Sequence, residues 1–160
     1  MDNNDILRRL RYTFSFNDRE MIAVFAKADR DVTRGQVSSW LKRDDDPAFV
    51  GLEDIQLATF LNGLIVHHRG KRDGPTPEVE RRLNNNIVFR KLKIALNLKA
   101  DDILGLLSRA EYRVSKPELS ALFRKPGHQN YRECKDQILR HFLKGLQLEH
   151  RAEVPSDPKP

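Results

Sequence analysis

The stretch from Lys116 to Arg132 holds the side chains in this sequence best suited to gripping a polyanion. Its second part reads Arg124-Lys125-Pro126-Gly127-His128-Gln129-Asn130-Tyr131-Arg132. The guanidinium and ammonium groups of Arg124, Lys125 and Arg132 suit phosphate. The amide of Asn130, with His128 beside it, suits base edges, and the Tyr131 ring suits stacking. Lys116 stands where a helix is expected to begin, so a phosphate there would meet both its ammonium group and the helix N-terminus.

Other chemistry is poorly represented. Asp44-Asp45-Asp46 could bind a hard cation, but the run lacks the glycine and the distal glutamate of a calcium loop, and a solvated loop is the expectation. His67 and His68 are adjacent and would point about 100° apart on a helix, a poor chelating pair. His68 and His150 are expected near helix C-termini, where a cation is welcome. Cys134, the single cysteine, excludes an internal disulfide and a cysteine zinc site, and is expected to be a buried thiol. No Gly-rich phosphate loop, nucleophile elbow or zinc-protease motif is present. The expectation is therefore a non-enzymatic protein with no catalytic residues, no metal ligands and no cofactor.

The elements that must position these residues are duplicated. Aligning each residue with the one 82 positions later, without gaps, gives 15 identities over residues 3–69, where chance gives roughly four. They include Asn3-Asn4 with Asn85-Asn86, Arg8 with Arg90, Asp54 with Asp136, Gly63 with Gly145, and His68-Arg69 with His150-Arg151. The expected organisation is a first repeat over 1–71, a linker over 72–82, a second repeat over 83–151 and a disordered Pro-rich tail over 152–160.

Each repeat reads as four helices. The first spans 4–15 and 86–97, on the spacing of Ile6, Leu10 and Phe14 and of Val88, Leu92 and Leu96. The second spans 18–29 and 100–111, opened in the first repeat by Asn17-Asp18-Arg19-Glu20. Thr33-x-x-Gln36 and Ser115-x-x-Glu118 are capping boxes that start the third, with Pro117 tolerated in its first turn. The fourth spans 53–67 and 135–149, with Leu57, Phe60, Leu61 and Leu64 and their partners on one face. Thr76-Pro77-Glu78 reads as a short helix start running through Val79 to Leu83. The fold class is all-α: a tandem repeat of two four-helix units about a pseudo-two-fold axis, weakly like a helix-turn-helix.

That last likeness rests on Val32-Thr33-Arg34-Gly35-Gln36-Val37-Ser38-Ser39-Trp40 and on Val114-Ser115-Lys116-Pro117-Glu118-Leu119-Ser120. The turn glycine is missing, and three-helix packing alone produces the same pattern. Charge adds to the case. Residues 1–71 carry 11 basic and 11 acidic groups, whereas residues 83–151 carry 14 and 7, against +6 for the whole chain. The excess positive charge of the second repeat suits a polyanion partner, and a generic solvated surface is the alternative. Tyr131 aligns with Phe49, which favours a packing role for its ring. The basic clusters Arg8-Arg9-Arg11 and Arg90-Lys91-Lys93 could track a row of phosphates, but Arg8 with Asp54, and Arg90 with Asp136, are attractive as internal ion pairs, and that reading is favoured. Gly63 and Gly145 fall inside helices, where glycine costs about 1 kcal/mol, and close helix approach is the expected reason.

The sequence resembles the YehS-like family of small bacterial proteins, a domain-of-unknown-function family. The resemblance rests on Asn3-Asn4-Asp5-Ile6-Leu7-Arg8-Arg9-Leu10-Arg11, Phe60-Leu61-Asn62-Gly63-Leu64-Ile65 and Arg90-Lys91-Leu92-Lys93-Ile94-Ala95-Leu96. It also rests on Glu118-Leu119-Ser120-Ala121-Leu122-Phe123-Arg124-Lys125, Asn130-Tyr131-Arg132 and Asp136-Gln137-Ile138-Leu139-Arg140. It covers nearly the whole chain and implies a bacterial, cytoplasmic protein. The resemblance brings no activity with it.

The expected function is that of a regulator or accessory factor contacting DNA or RNA through the basic second repeat. The alternative is a protein-protein interaction module, whose duplicated helical faces hold a protein partner or a second copy in a homodimer. An exposed apolar patch around Trp40 or Phe49 would favour that alternative. No membrane contact is expected, because no apolar run approaches the roughly 18 residues a span requires.

Overall fold

Capping chemistry sets where the helices begin. In the computed structural model, which describes residues 1–71 and 78–152, eight α-helices run in order and no strand occurs among the described residues. The first repeat holds α1 (Asn3–Phe14), α2 (Asp18–Lys27), α3 (Arg34–Leu41) and α4 (Asp54–Arg69). The second holds α5 (Asn85–Ala95), α6 (Ala100–Arg109), α7 (Lys116–Leu122) and α8 (Asp136–Ala152). The expected capping boxes form at Asn17/Glu20, Thr33/Gln36 and Ser115/Glu118, and a further one forms at Asp2/Asp5. No helix is long and apolar enough to cross a membrane among the described residues.

Within each repeat the fourth helix packs on the second, α4 on α2 and α8 on α6. The two helical glycines make this possible. A Cβ at Gly63 would strike the Val24 carbonyl oxygen and lie 2.9 Å from the carbonyl carbon. One at Gly145 would strike the Leu106 carbonyl oxygen and lie 2.7 Å from that carbon. Close helix approach is thus the reason for both glycines.

The repeats are joined by exchange. The first helix of each packs most extensively on the fourth helix of the other, α1 on α8 and α5 on α4. The ties across these seams repeat with the pseudo-two-fold. Asp54 Oδ2 accepts from the Leu83 backbone N–H (2.8 Å), and Asp136 Oδ2 accepts from the Met1 amine (3.3 Å). Arg69 donates to the Ile94 carbonyl (3.1 Å), and Arg151 to the Tyr12 carbonyl (3.3 Å) and the Ser15 hydroxyl (2.7 Å).

Two expectations fail here for a shared reason, that other partners claim the polar groups. Arg8 does not pair with Asp54: it pairs with Asp5 and donates to the Lys42 carbonyl (2.6 Å). Asp54 Oδ1 accepts instead from Asn3 (2.7 Å), just as Asp136 Oδ1 accepts from Asn85 (2.7 Å), so Arg90 does not pair with Asp136 either. The linker does not form its helix over Glu78–Leu83. The Glu78 carbonyl accepts from Asn62 Nδ2 (3.0 Å) and Lys91 Nζ (3.3 Å), and the Glu80 carboxylate pairs with buried Lys91 (2.9 Å). These contacts hold the segment as an irregular strap over α4 and α5. Thr76, Pro77 and the tail from residue 153 lie outside the described residues.

The end of the α1/α8 seam carries histidines. The Phe14 ring lies 5.1 Å from that of His68 and 5.0 Å from that of His150, while His67 packs edge-on against Phe16 (5.3 Å). Both His68 and His150 are in the last turns of their helices, yet His68 is not the welcome cation expected there. Burial, then the neighbouring His67, His150 and Lys27 charges, pull its pKa down from 6.5 to about 4. A depressed histidine is protonated first in the unfolded chain, so its contribution is complete above pH 6.5 and is lost as pH falls toward 4. Because His68 is an exposed residue, solvent screening cuts the loss to about 1 kcal/mol. Thermal melts from neutral pH down through this window should show the wild-type midpoint falling more steeply than that of His68→Gln. Parallel curves would remove His68 as the cause.

Candidate nucleic-acid interface

The placement of the basic segment starts from a buried asparagine. Asn86, at the start of α5, donates from Nδ2 to the Leu122 carbonyl (3.0 Å) and the Arg132 carbonyl (2.9 Å). Its Oδ1 accepts from the Cys134 N–H (2.9 Å). The Arg132 N–H in turn donates to the Ala121 carbonyl (3.1 Å). The chain following α7 is therefore pinned at Arg132, and the preceding residues bulge out as an exposed loop. Asn4 does the same in the first repeat, through the Trp40 and Val50 carbonyls and the Leu52 N–H.

Two grooves flank α7. One, of about 430 Å³, is lined by Arg124, Asn130 and Arg132 together with Pro117, Glu118 and Ser120. The other, of about 480 Å³, lies against α5 and α6, with Lys93 and Lys116 beside Phe123 and Leu119. Pro117 and Ser120 line both, so the grooves meet across α7. Of the seven residues singled out in sequence, Arg124, Asn130 and Arg132 share one groove and Lys116 borders the next.

The other three stand apart from both linings. Lys125 is exposed on the loop. His128 turns its Nδ1 back to accept from the Asn130 N–H (3.0 Å). Tyr131 is half-buried, as Phe49 is, so neither ring is a core anchor. Lys116 pairs with Asp101 at the surface (3.2 Å). The start of α7 is not an open phosphate site, because Ser115 Oγ already accepts from the Glu118 N–H and Pro117 has no N–H to offer. The Ser115 hydroxyl and N–H hold the Glu118 carboxyl below the ordinary range, so that carboxylate is ionised and committed to the cap.

Sequence reasoning noted Lys93 only within the Arg90-Lys91-Lys93 cluster and missed Phe123 and the groove the two share. Lys93 Nζ lies 5.4 Å from the centre of the Phe123 ring, a cation–π contact at the mouth of the second groove. The signal was in the repeat itself, since Leu41 of the first copy becomes Phe123 in the second. The same comparison explains the other differences. Val50, Ala48 and Lys42 correspond to Arg132, Asn130 and Arg124, and Asp5, the partner of Arg8, corresponds to Ile87. Arg90 consequently stands exposed on α5 with no carboxylate partner among the described residues. Substitutions between the two copies thus add one cation, Arg132, and one amide, Asn130, around α7, keep a cation at Arg124, and remove an acid near it.

Cys134 is buried, as expected, and burial pushes its thiol up to about 12, which leaves no reactive thiolate at neutral pH. Asp46 of the acidic loop accepts from the Ala48 N–H (2.8 Å) in a local turn. Among the described residues no group of three His, Cys, Asp or Glu side chains is placed to hold a metal ion.

Comparison with known proteins agrees with the duplicated architecture. The model of a family described as "Protein of unknown function (DUF1456)" matches twice, over residues 3–70 and 85–152. The chain is also 48% identical over 147 residues to "Uncharacterized protein YehS" of Escherichia coli (strain K12), covering 91% of this chain and 94% of that protein. No solved structure matches the chain. An all-α tandem repeat whose two copies each fit one family model, with a relative aligned along nearly its full length, places this chain in the DUF1456 family.

Proposed function

We propose that this protein contacts nucleic acid through the basic face around α7, as a non-enzymatic regulator or accessory factor. The observation that carries the reading is the convergence of Arg124, Asn130 and Arg132 on one groove, with Lys93 and Lys116 in the groove beside it. Guanidinium forks and ammonium groups bind phosphate, and an amide among them can read a base edge. Trp40 is buried in the core, so the apolar patch that would favour a protein partner is not found at that residue.

Fluorescence anisotropy with labelled duplex DNA and single-stranded RNA tests the reading. Four phosphate contacts predict that affinity falls about fifty- to 150-fold between roughly 50 and 200 mM salt. Arg124→Ala with Arg132→Val, the second restoring the first-repeat residue, should weaken binding about tenfold or more and flatten the salt slope by about two. Absence of binding to both ligands at the lowest salt would overturn the proposal.

A further inference from the structure

We propose that the groove between α5, α6 and α7 receives an unpaired base of a single-stranded nucleic acid, with the neighbouring phosphates on Lys93 and Lys116. This inference rests on the nucleic-acid reading above and specifies the form of the ligand.

The groove combines an apolar floor with cationic rims. Phe123, Leu119, Pro117 and Ala100 supply the floor, and Lys93 and Lys116 stand at the edges. Its volume of about 480 Å³ is within the range of small-ligand sites. A nucleotide has matching chemistry, an apolar ring face flanked by anionic phosphates, and base stacking on an aromatic ring is indifferent to base identity. The inner side of Phe123 is held by an edge-on contact with Phe89 (5.0 Å). Over the ring lies the flexible Lys93 side chain. A base entering there exchanges one weak cation–π contact for stacking and frees the ammonium group for the adjacent phosphate.

The first repeat is an internal control. There Leu41 replaces the ring and Asp18 replaces Ala100. Asp18 Oδ2 lies 3.8 Å from Arg34 Nε, so a carboxylate stands beside the cation that corresponds to Lys116. In the second repeat alanine stands at that place in the groove lining and an aromatic ring has been added, while Lys116 pairs with exposed Asp101 (3.2 Å), a surface pair that a phosphate would displace. The continuation across Pro117 and Ser120 toward Arg124 and Arg132 gives the strand a path for its next phosphates.

The same face suits a duplex poorly. Recognition of a duplex through a helix requires that helix to enter the major groove with its base-reading side foremost. Here α7 has only seven residues, its exposed side carries ionised Glu118, and the cations lie in the depressions on either side.

The test uses the full chain and short labelled oligomers of about a dozen nucleotides: oligothymidine, oligouridine, an abasic deoxyribose-phosphate strand and a duplex. At matched salt, the two base-bearing strands should bind about tenfold tighter than the abasic strand and the duplex, and a preference for either sugar supports the proposal equally. Phe123→Leu should cost about five- to thirtyfold on the base-bearing strands and leave the abasic strand unchanged. Ala100→Asp returns the first-repeat acid to the start of α6, where an acid is favourable for folding, and should weaken the base-bearing strands about tenfold. A duplex bound as tightly as the single strands, or base-bearing strands indifferent to both substitutions, overturns the base-in-groove inference and leaves the broader reading standing. Failure of every oligomer to bind overturns both.

Discussion

Replacing Gly63 with alanine is expected to destabilise the protein by about 2–4 kcal/mol, although alanine is the better helix former. The added Cβ would strike the Val24 carbonyl oxygen and stand 2.9 Å from its carbon, both of them backbone atoms of α2. A rotamer change cannot relieve such a clash, so α4 must move away from α2. That movement loosens the contacts of Leu57, Phe60, Leu61 and Leu64, all of which are buried. Helix propensity alone predicts a gain of about 1 kcal/mol, so the sign of the effect decides between the two accounts. Urea melts of Gly63→Ala and Gly145→Ala measure it, and a stability equal to or above wild type would disprove close approach. Gly105 is the control: it lies in α6 with nothing near its missing Cβ, and alanine there should be neutral or stabilising.

The second large effect is expected at Asn86. Alanine there leaves the Leu122 and Arg132 carbonyls and the Cys134 N–H without the partner they now share. Each unsatisfied buried group costs about 1–3 kcal/mol, and with partial relaxation the sum should be about 3–5 kcal/mol. Binding should suffer as well. The Asn86 side chain fixes the backbone of Arg132, so oligonucleotide affinity should fall even under conditions where the variant remains folded. Arg90→Ala, one turn further along α5 and exposed, should stay within about 0.5 kcal/mol of wild type. A loss at Asn86 no larger than at Arg90 would mean that water replaces the asparagine amide without penalty.

Asn86 also shows how the site was and was not legible in the sequence. Its recurrence as Asn4 marked it, yet nothing in its spacing indicated a side chain that staples the loop after the third helix. That role depends on residues 36, 46 and 48 positions away, brought together only in the folded chain. The meeting of Lys93 with Phe123 went unread for the same reason. Lys93 lies in α5 and Phe123 caps the end of α7, and no local pattern joins them. The Arg8–Asp54 pairing failed because charge retained at two positions says nothing about competing partners, here Asp5 for Arg8 and Asn3 for Asp54. Arg124, Asn130 and Arg132 were legible because they fall within one loop, where short sequence separation constrains their distance.

The sequence by itself determined the eight helices, their principal caps and the equivalence of the two copies. These depend on local chemistry: apolar periodicity, hydroxyl and carboxylate caps, and identity at a fixed offset. Tertiary structure alone decided that α1 packs on α8 and α5 on α4, so that each repeat is completed by the other. The apolar faces of α1 and α5 are chemically alike, as are those of α4 and α8, and burial rewards either pairing. What accompanies the exchanged arrangement is the set of polar ties of Asp54, Asp136, Arg69 and Arg151 across the seams, made between groups far apart in the chain that no local pattern joins.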